Sequence, residues 1–173
     1  FKGLLVLDAD GLNLLAISKY GWCWLKDREG PTWITPHRSE FSRLFPDLKG
    51  LDPLEAALEA AKISGVNVLL KGAHSVVADK NGRSWQLAKV NSCAARAGLG
   101  DLLAGYAAGL GSIGIATNKS CDAELLAAAM FLHSQAAATT EKGTSASLVA
   151  SSLGEMTRSI QNRNGFDRHI KMS

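Results

Sequence analysis

The segment best suited to chemistry is a glycine turn that ends in an aspartate, Gly98-Leu99-Gly100-Asp101. Glycine lets the backbone approach a ligand closely and adopt a positive φ. The free N–H groups and the dipole of a helix start favour an anion such as a transferring phosphate. A carboxylate beside that anion accepts a proton from an attacking hydroxyl. The pattern predicts a phosphate site with Asp101 as base, although a tight turn with Asp101 as helix cap would produce the same pattern.

A second polar segment, Lys71-Gly72-Ala73-His74-Ser75, follows the buried run Leu69-Leu70. Loops that follow the strands of an open α/β sheet are where such sheets bind ligands. Lys71 is therefore predicted to contact nucleotide phosphates, and residues 72–75 to present backbone N–H groups. A solvent-facing strand end is the alternative interpretation.

Two more polar segments follow predicted strands. His37 and Glu40 lie just past Thr35-Pro36, and Asp10 and Asn13 lie past the first strand. Asp10 and Asn13 could approach substrate or metal, but turn capping explains them too. His37 could be structural, and Glu40 could stabilise a helix start. Polar loops in series at strand ends are what a doubly wound binding face requires.

The strands that must position these loops are indicated by continuous apolar runs. Such runs predict strands buried on both faces, as in a parallel sheet, and they cover residues 4–7, 32–35 and 66–70. The Asn81-Gly82 pair predicts a hairpin turn between strands at 75–78 and 84–87.

Helical spacing and capping residues predict four helices, over 54–63, after Asp101, over 123–140, and from a Thr144-Ser145 cap to about residue 160. The first of these is opened by Asp52-Pro53 and closed by Gly65, the expected asymmetry of caps. The order of strands and helices indicates a layered α/β domain with a largely parallel sheet. One domain is predicted over residues 1–160, with a polar tail over 161–173.

Composition argues against several classes of function. The net charge is +3 and the basic residues are scattered, so no nucleic-acid surface is predicted. Three cysteines without CxxC spacing favour reduced thiols in a cytoplasmic protein over a disulfide framework or a zinc site. The sequence contains no run of about 18 consecutive apolar residues, so no membrane helix is predicted.

Taken in order, the polar segments resemble the ADP-dependent NAD(P)H-hydrate dehydratases, a branch of the ribokinase-like superfamily. The similarity runs from about residue 4 to residue 155 and rests on Val6-Leu7-Asp8-Ala9-Asp10-Gly11-Leu12-Asn13, Thr35-Pro36-His37 with Glu40-Phe41, Leu70-Lys71-Gly72-Ala73-His74-Ser75-Val76-Val77, and Gly98-Leu99-Gly100-Asp101 with Leu103-Ala104-Gly105. The resemblance implies a ribokinase-like layered α/β/α fold. It also implies a repair lyase that dehydrates the S-epimer of NAD(P)H hydrate. The reaction consumes ADP, or ATP in some members, and with ADP the products are AMP and phosphate.

The resemblance also implies roles by position. His37 and Asp101 would contact the hydrated dinucleotide. Asp10 and Asn13 are further predicted substrate contacts, from their place after the first strand rather than from the resemblance. The residues expected to contact the adenine nucleotide are Lys71, Gly72, Ala73, His74, Ser75 and Gly100, with Gly98 completing the anion cradle. Mg²⁺ is expected to offset phosphate charge, although the sequence shows no ligand set for it. A homo-oligomer and an NAD(P)H-hydrate epimerase, fused or separate, are left open.

Three departures from the family pattern are visible. Leu99 stands where the family has threonine, which removes a hydroxyl but leaves the backbone amides. His37-Arg38-Ser39-Glu40 replaces His-Pro-Gly-Glu. The family's N-terminal part is expected to be absent, which would leave an open sheet edge and an incomplete dinucleotide cleft. Two alternatives remain open: a ribokinase-like small-molecule kinase, and a truncated nucleotide-binding domain without turnover.

Overall fold

In a computed structural model, which describes residues 1–88, 97–118, 120–140 and 145–170, five strands form one sheet in the order β1-β2-β3-β4-β5. The strands are β1 (Leu5–Leu7), β2 (Thr32–Ile34), β3 (Asn67–Leu70), β4 (Val76–Ala78) and β5 (Ser84–Gln86). β1, β2 and β3 are parallel, and β4 and β5 continue the sheet as an antiparallel hairpin. The predicted α/β fold with a largely parallel sheet is confirmed.

Six α-helices lie within the described ranges: α1 (Ala9–Ile17), α2 (Arg38–Leu44), α3 (Pro53–Ser64), α4 (Leu99–Asn118), α5 (Ala123–Thr139) and α6 (Ala146–Ile170). The sequence did not predict α1. α4 begins at Leu99, two residues before Asp101, so Asp101 lies in its first turn, as the sequence predicts. α6 continues to Ile170, past the predicted end near residue 160. Thr144 of the predicted cap, and Cys93, lie outside the described residues.

Alternate residues of the strands face two different helical layers. Trp33, Leu69 and Val77 are buried against α4 and α5. Ile34 and Val68 are buried on the other face, against α1, α2 and α3. α6 covers α4 and α5 from outside. Both faces of the parallel strands are therefore covered, which explains why these strands appear in the sequence as continuous apolar runs.

Local signals in the sequence set the ends of α3. The Asp52 carboxylate accepts a hydrogen bond from the Leu54 N–H at 2.9 Å, and Pro53 occupies the first helical turn. Gly65 ends the helix with φ +74°, and its N–H binds the Ala61 carbonyl. The predicted start and end of this helix are confirmed, and β3 begins shortly after the helix ends.

α4 is the described helix whose length and apolar composition would suffice to cross a membrane, over Leu99–Thr117, and 28% of that stretch is buried. In this structure it packs against β1, α5 and α6. Its apolar character is therefore used in part by the fold itself.

The β4–β5 turn is held by one buried carboxylate. Asp79 accepts hydrogen bonds from the N–H groups of Asn81 and Arg83, both at 2.9 Å, and from Nε of the Arg83 side chain at 2.7 Å. Burial opposes ionisation of Asp79, but these donors outweigh it and hold the pKa of Asp79 below its usual value. The folded protein therefore keeps this group ionised at a pH where the unfolded chain takes up a proton.

We predict that replacing Asp79 reduces stability in a pH-dependent way. Asp79→Asn should lower the urea midpoint at pH 7, and the loss for Asp79→Ala should be about 1–3 kcal/mol, since buried N–H groups lose their acceptor. The contribution is complete above about pH 3.9, the ordinary aspartate value, and is lost as the pH falls through the lower pKa of the folded state. Urea unfolding of wild type and Asp79→Asn at pH 7 and pH 3 should show the difference shrinking at pH 3; a difference that persists unchanged contradicts this assignment.

Candidate active site at the strand ends

The parallel strands bring three polar segments to one edge of the sheet. Asp8 follows β1 directly, and Lys71 follows β3 directly. The Thr35 N–H donates to the Leu7 carbonyl at 3.0 Å, and the Lys71 N–H donates to the Pro36 carbonyl at 2.8 Å. His37 and Lys71 form a further parallel bridge beyond the named strands. The ladder thus continues into the polar segments and fixes their relative positions.

An ion pair joins the two outer strands of this parallel trio. Nζ of Lys71 lies 2.6 Å from Oδ1 of Asp8, and their side chains are only 19% and 12% exposed. Strands in a sheet are about 4.8 Å apart, so the pair must reach across the end of β2, a span of about 10 Å that the long lysine stem allows. This part-buried pair marks the centre of the candidate site.

The start of α4 lies directly against that ion pair. A Cβ atom added to Gly100 would be 3.7 Å from Nζ of Lys71 and 4.0 Å from Oδ2 of Asp8. Gly98 has φ +81°, and its carbonyl accepts the Leu102 N–H at 3.0 Å. The predicted glycine turn therefore places helix N–H groups near a lysine ammonium, an arrangement that favours an anion.

The side chain of Leu99 points away from this site. It is 1% exposed and packs with residues of α5 and α6, including Ala136, Val149 and Leu153. What the turn presents at the edge of the sheet is therefore backbone rather than side chain. The replacement of threonine by leucine at this position is accommodated by the core.

Asp101 is exposed in the first turn of α4. It makes no hydrogen bond or ion pair with another described residue, so within those residues it does not serve as a cap. Because no residue in the described ranges pairs with it, this carboxylate can accept a proton from a ligand.

His37 caps α2 and is itself held by Glu40. Nδ1 of His37 accepts from the N–H groups of Ser39 and Glu40, at 3.1 and 3.3 Å. The ring proton therefore lies on Nε2, which is 3.3 Å from Oε1 of the buried Glu40. Oε2 of Glu40 accepts the His37 N–H at 2.7 Å. Both structural roles considered from the sequence are present, and the half-exposed ring remains at the edge of the site.

The segment after β3 forms a closed turn with an exposed backbone. The Ser75 hydroxyl accepts the Gly72 N–H at 3.2 Å and donates to the Gly72 carbonyl at 3.1 Å. Nδ1 of His74 lies 3.1 Å from the Leu87 carbonyl, so that nitrogen carries a proton and donates it. Gly72, Ala73 and His74 are exposed.

Asp10 and Asn13 lie on α1, outside the contacts that join the other segments. Asp10 is exposed in the first turn of the helix. Oδ1 of Asn13 accepts a hydrogen bond from Nε of Arg43 on α2, at 3.1 Å. Asn13 therefore links α1 to α2, and its contact with substrate stays a prediction.

Asp8 is the site residue that the sequence did not single out. It stands at the N-cap of α1 but makes no capping hydrogen bond, because its carboxylate turns to Lys71. The next residue, Ala9, has φ +44°, a left-handed conformation that a non-glycine residue rarely adopts. The available signal was positional: Asp8 and Lys71 are each the first residue after a parallel strand.

Other parts of the molecule offer less for ligand binding. The described residues contain no group of three or more His, Cys, Asp or Glu side chains placed to hold a metal. Two open cavities, of about 540 and 230 Å³, lie at the opposite edge, where Thr32 and Val66 mark the amino ends of β2 and β3. Neither is lined by a predicted site residue.

Comparison with known families gives a match over most of the chain. The sequence model of a family described as NAD(P)H-hydrate dehydratase matches residues 2–159. The chain is 41% identical over 133 residues to a bifunctional NAD(P)H-hydrate repair enzyme of Synechocystis, covering 76% of this chain and 24% of the relative. It is 48% identical over 103 residues to the enzyme of the same name from Gloeobacter violaceus, covering 60% and 20%.

Solved structures show the same architecture. An ADP/ATP-dependent NAD(P)H-hydrate dehydratase from Bacillus subtilis, crystallised with ATP and Mg²⁺ and soaked with CoA, is 25% identical with a TM-score of 0.59, covering 76% of this chain and 50% of that one. A ribokinase-like superfamily protein from Enterococcus faecalis, 22% identical, superimposes with a TM-score of 0.73 over 90% of this chain and 52% of that one. The chain thus spans about a quarter of the curated relatives it matches and about half of these solved chains.

We predict that the Asp8–Lys71 pair is energetically coupled. A double-mutant cycle of Asp8→Asn and Lys71→Met should give a coupling of about 1–2 kcal/mol in urea unfolding, because both groups are largely shielded from water. The exposed Lys2–Glu29 pair, with side chains 83% and 70% exposed, serves as the matched control and should show almost none. Equal coupling in the two cycles would contradict the placement of the first pair.

Proposed function

The chain belongs to the NAD(P)H-hydrate dehydratase family, and on that premise we propose that it dehydrates the S-epimer of NAD(P)H hydrate with ADP as phosphoryl donor. The observation that carries the proposal is the contact between the start of α4 and the Asp8–Lys71 pair. Helix N–H groups and a lysine ammonium come together there, and the Asp101 carboxylate belongs to the same first turn of α4. Phosphoryl transfer depends mainly on such positioning and charge stabilisation.

The adenine nucleotide is assigned to the loop after β3 and the start of α4. Lys71 supplies a positive charge beside Gly100, where a side chain would intrude on the space next to the ammonium. The exposed backbone of Gly72, Ala73 and His74, closed by Ser75, offers polar groups to the rest of the nucleotide. Gly98 shapes the turn through its positive φ.

The reaction divides into phosphoryl transfer and elimination. The hydroxyl oxygen of the hydrate attacks the terminal phosphorus of ADP, Asp101 takes the hydroxyl proton, and the bond to AMP breaks. In the second step phosphate leaves with the electron pair of the carbon–oxygen bond. The neighbouring ring carbon loses a proton, which the departing phosphate takes up, and the double bond of NAD(P)H is restored.

The hydrated ring is assigned to the side of the site that bears His37. Its imidazole is half exposed, and the capping network with Glu40 fixes its orientation. With Nδ1 used by the cap, Nε2–H is the ring donor available to a ligand as well as to Glu40. Asp10 and Asn13, on the neighbouring helix α1, are the further substrate contacts in this proposal.

The residues at this edge fit a magnesium ion held mainly by the nucleotide. Mg²⁺ is usually bound through one or two carboxylates together with substrate phosphates and water. The carboxylates that would hold it are Asp101 and Asp8, whose second oxygen faces Gly100. When bound, the ion would offset phosphate charge during transfer.

The setting of the reaction is also proposed. The curated relatives are named bifunctional repair enzymes, which supports an epimerase acting beside this dehydratase, fused or separate.

Burial raises the pKa of the Cys121 thiol to about 11, and the Asp122 carboxylate adds to the effect, so this thiol stays protonated. Cys121 and Cys23 are free, which suits a reducing, cytoplasmic compartment. A homo-oligomer is compatible with this setting.

We predict that Asp101→Asn in the full-length gene product keeps ADP binding within about threefold but lowers turnover by about 10²–10⁴-fold, the usual contribution of a general base. Turnover is followed by the return of NADH absorbance from the hydrate, and ADP binding by titration calorimetry. A wild-type protein that binds ADP without restoring NADH would contradict the proposed function. A stable phosphorylated alcohol product would instead assign the site to a kinase.

We predict that Gly100→Ala weakens nucleotide binding without weakening the fold. Alanine favours a helix over glycine, and its Cβ has ordinary contact distances in the free protein, so the melting temperature should stay the same or rise. The added methyl occupies space beside Lys71, so Kd for ADP should rise about tenfold, equivalent to about 1.4 kcal/mol. Gly109→Ala is the matched control, because nothing lies within 4 Å of its added Cβ. Equal effects of both variants on Kd would contradict the nucleotide placement.

A further inference from the structure

The larger open cavity, of about 540 Å³, lies at the edge of the sheet opposite the candidate active site. Buried residues form part of its wall, among them Leu25, Thr32 and Val66. Thr32 begins β2 and Val66 directly precedes β3, so the cavity lies at the amino ends of these strands. Its volume is that of a small-molecule site, and the proposed reaction does not use it.

The charged side chains around this cavity are all of one sign. Four cationic residues line it, and none of its lining residues in the described ranges is Asp or Glu. The four come from separate segments: Lys26 from a 3₁₀ helix over Gly21–Asp27, Arg28 from the segment before β2, Lys62 from the last turn of α3, and Lys80 from the β4–β5 turn. A cleft lined by charges of one sign concentrates ions of the opposite sign.

The guanidinium group of Arg28 is held in place by neutral acceptors. Its Nε donates to the Thr32 hydroxyl at 2.7 Å, and its two terminal nitrogens donate to backbone carbonyls, including that of Phe1 at 2.9 Å. The acidic neighbour Glu29 pairs with Lys2 instead. Arg28 is therefore fixed at the cavity, and no carboxylate of the described residues neutralises its charge.

Two of the three lysines at the cavity also lack a carboxylate partner. Lys80 is exposed and makes no hydrogen bond or ion pair with another residue that the structure describes. The Lys26 ammonium lies 4.9 Å from the centre of the Trp22 ring. Lys62 is paired with Glu59 at 3.4 Å, a solvent-exposed pair of the kind that contributes little. Together with Arg28, three positive charges at this cavity are thus left without a carboxylate.

The smaller cavity at the same edge has a different charge pattern. It shares Lys80 but is also lined by Asp79, Arg83 and Asp122. Asp79 accepts a hydrogen bond from Arg83, and Asp122 accepts one from a backbone N–H in the first turn of α5. Here the opposite charges satisfy one another within the protein. The uncompensated positive charge therefore belongs to the larger cavity and not to the whole edge of the sheet.

We propose that the larger cavity is a second binding site, for a small polyanion that carries three or more negative charges on phosphate or carboxylate groups. The three uncompensated cations give the number of charges on the ligand. Arg28 provides a fixed group of donors, whereas the flexible stems of the lysines let their ammonium groups follow the shape of the ligand. This site is independent of the proposed dehydratase activity, because none of its lining residues belongs to the candidate active site.

Titration calorimetry of the full-length gene product with tripolyphosphate and with citrate tests the proposal. Both probes carry about three or more negative charges near neutral pH, and the one that binds more tightly identifies phosphate or carboxylate as the recognised group. Affinity should fall as salt is added, because salt screens exposed charges. Lys26→Gln combined with Lys80→Gln should raise Kd about tenfold or more, since two charged contacts are lost.

The matched control is Lys19→Gln combined with Lys49→Gln. Lys19 also lies over an aromatic ring, that of Tyr20, and Lys49 is exposed like Lys80, but neither lysine lines the cavity. This control removes the same net charge and should leave Kd within about twofold of wild type. Because all four lysines are exposed, both double variants should keep the melting temperature of the ligand-free protein.

Three results would overturn the proposal. Neither probe binds to wild type, or the cavity and control variants show the same Kd, or binding is lost in Lys71→Met and kept in the cavity variant, which would place the anion at the strand ends. Tighter binding of a single-stranded oligonucleotide than of either probe would assign the surface to nucleic acid and reject a small-molecule site. Probe binding by a protein that does not restore NADH would contradict the proposed function alone.

Discussion

The parallel register of β1, β2 and β3 is the constraint on which the rest of the site depends. Because all three strands run the same way, their carboxyl ends meet at one edge, and the ladder continues into the polar segments through the Thr35 and Lys71 N–H groups. Only with this register can Lys71 reach Asp8 across the end of β2. A reversal of either outer strand would place its polar residue at the far edge, beside the open cavities rather than beside α4.

The second constraint comes from the opposite side of the site, where α4 begins. Leu99 anchors the helix start in the layer of α5 and α6, while Gly100 lies against the ion pair. At the start of the helix, a buried apolar residue is thus followed directly by a residue without a side chain. The first resists displacement, and the second leaves room for a ligand to approach the backbone. The site is thereby built on the ends of rigid elements rather than on a loop that must first become ordered.

The fold, and the segments that meet at the candidate site, could be predicted from local patterns, whereas the side-chain contacts between those segments could not. Continuous apolar runs identified the buried strands, and Asp52-Pro53 with Gly65 identified α3, because these signals act within a few residues. α1 was missed because Asp8-Ala9-Asp10-Gly11 is typical of a turn, and because Ala9 enters the helix from a left-handed conformation. Asp8 was missed because its contact, to Lys71, lies far away in sequence.

The leucine at position 99 tests which part of the glycine turn matters physically. A threonine hydroxyl at this position would be one additional donor, whereas the N–H groups of a helix start are present whatever the side chain is. In this structure the leucine is used for packing, and it gains apolar burial that a hydroxyl would not have favoured. The leucine thus removes one hydroxyl donor, but its burial anchors the start of α4, which supplies the N–H donors. For this reason the departure from the family pattern is compatible with an intact anion site.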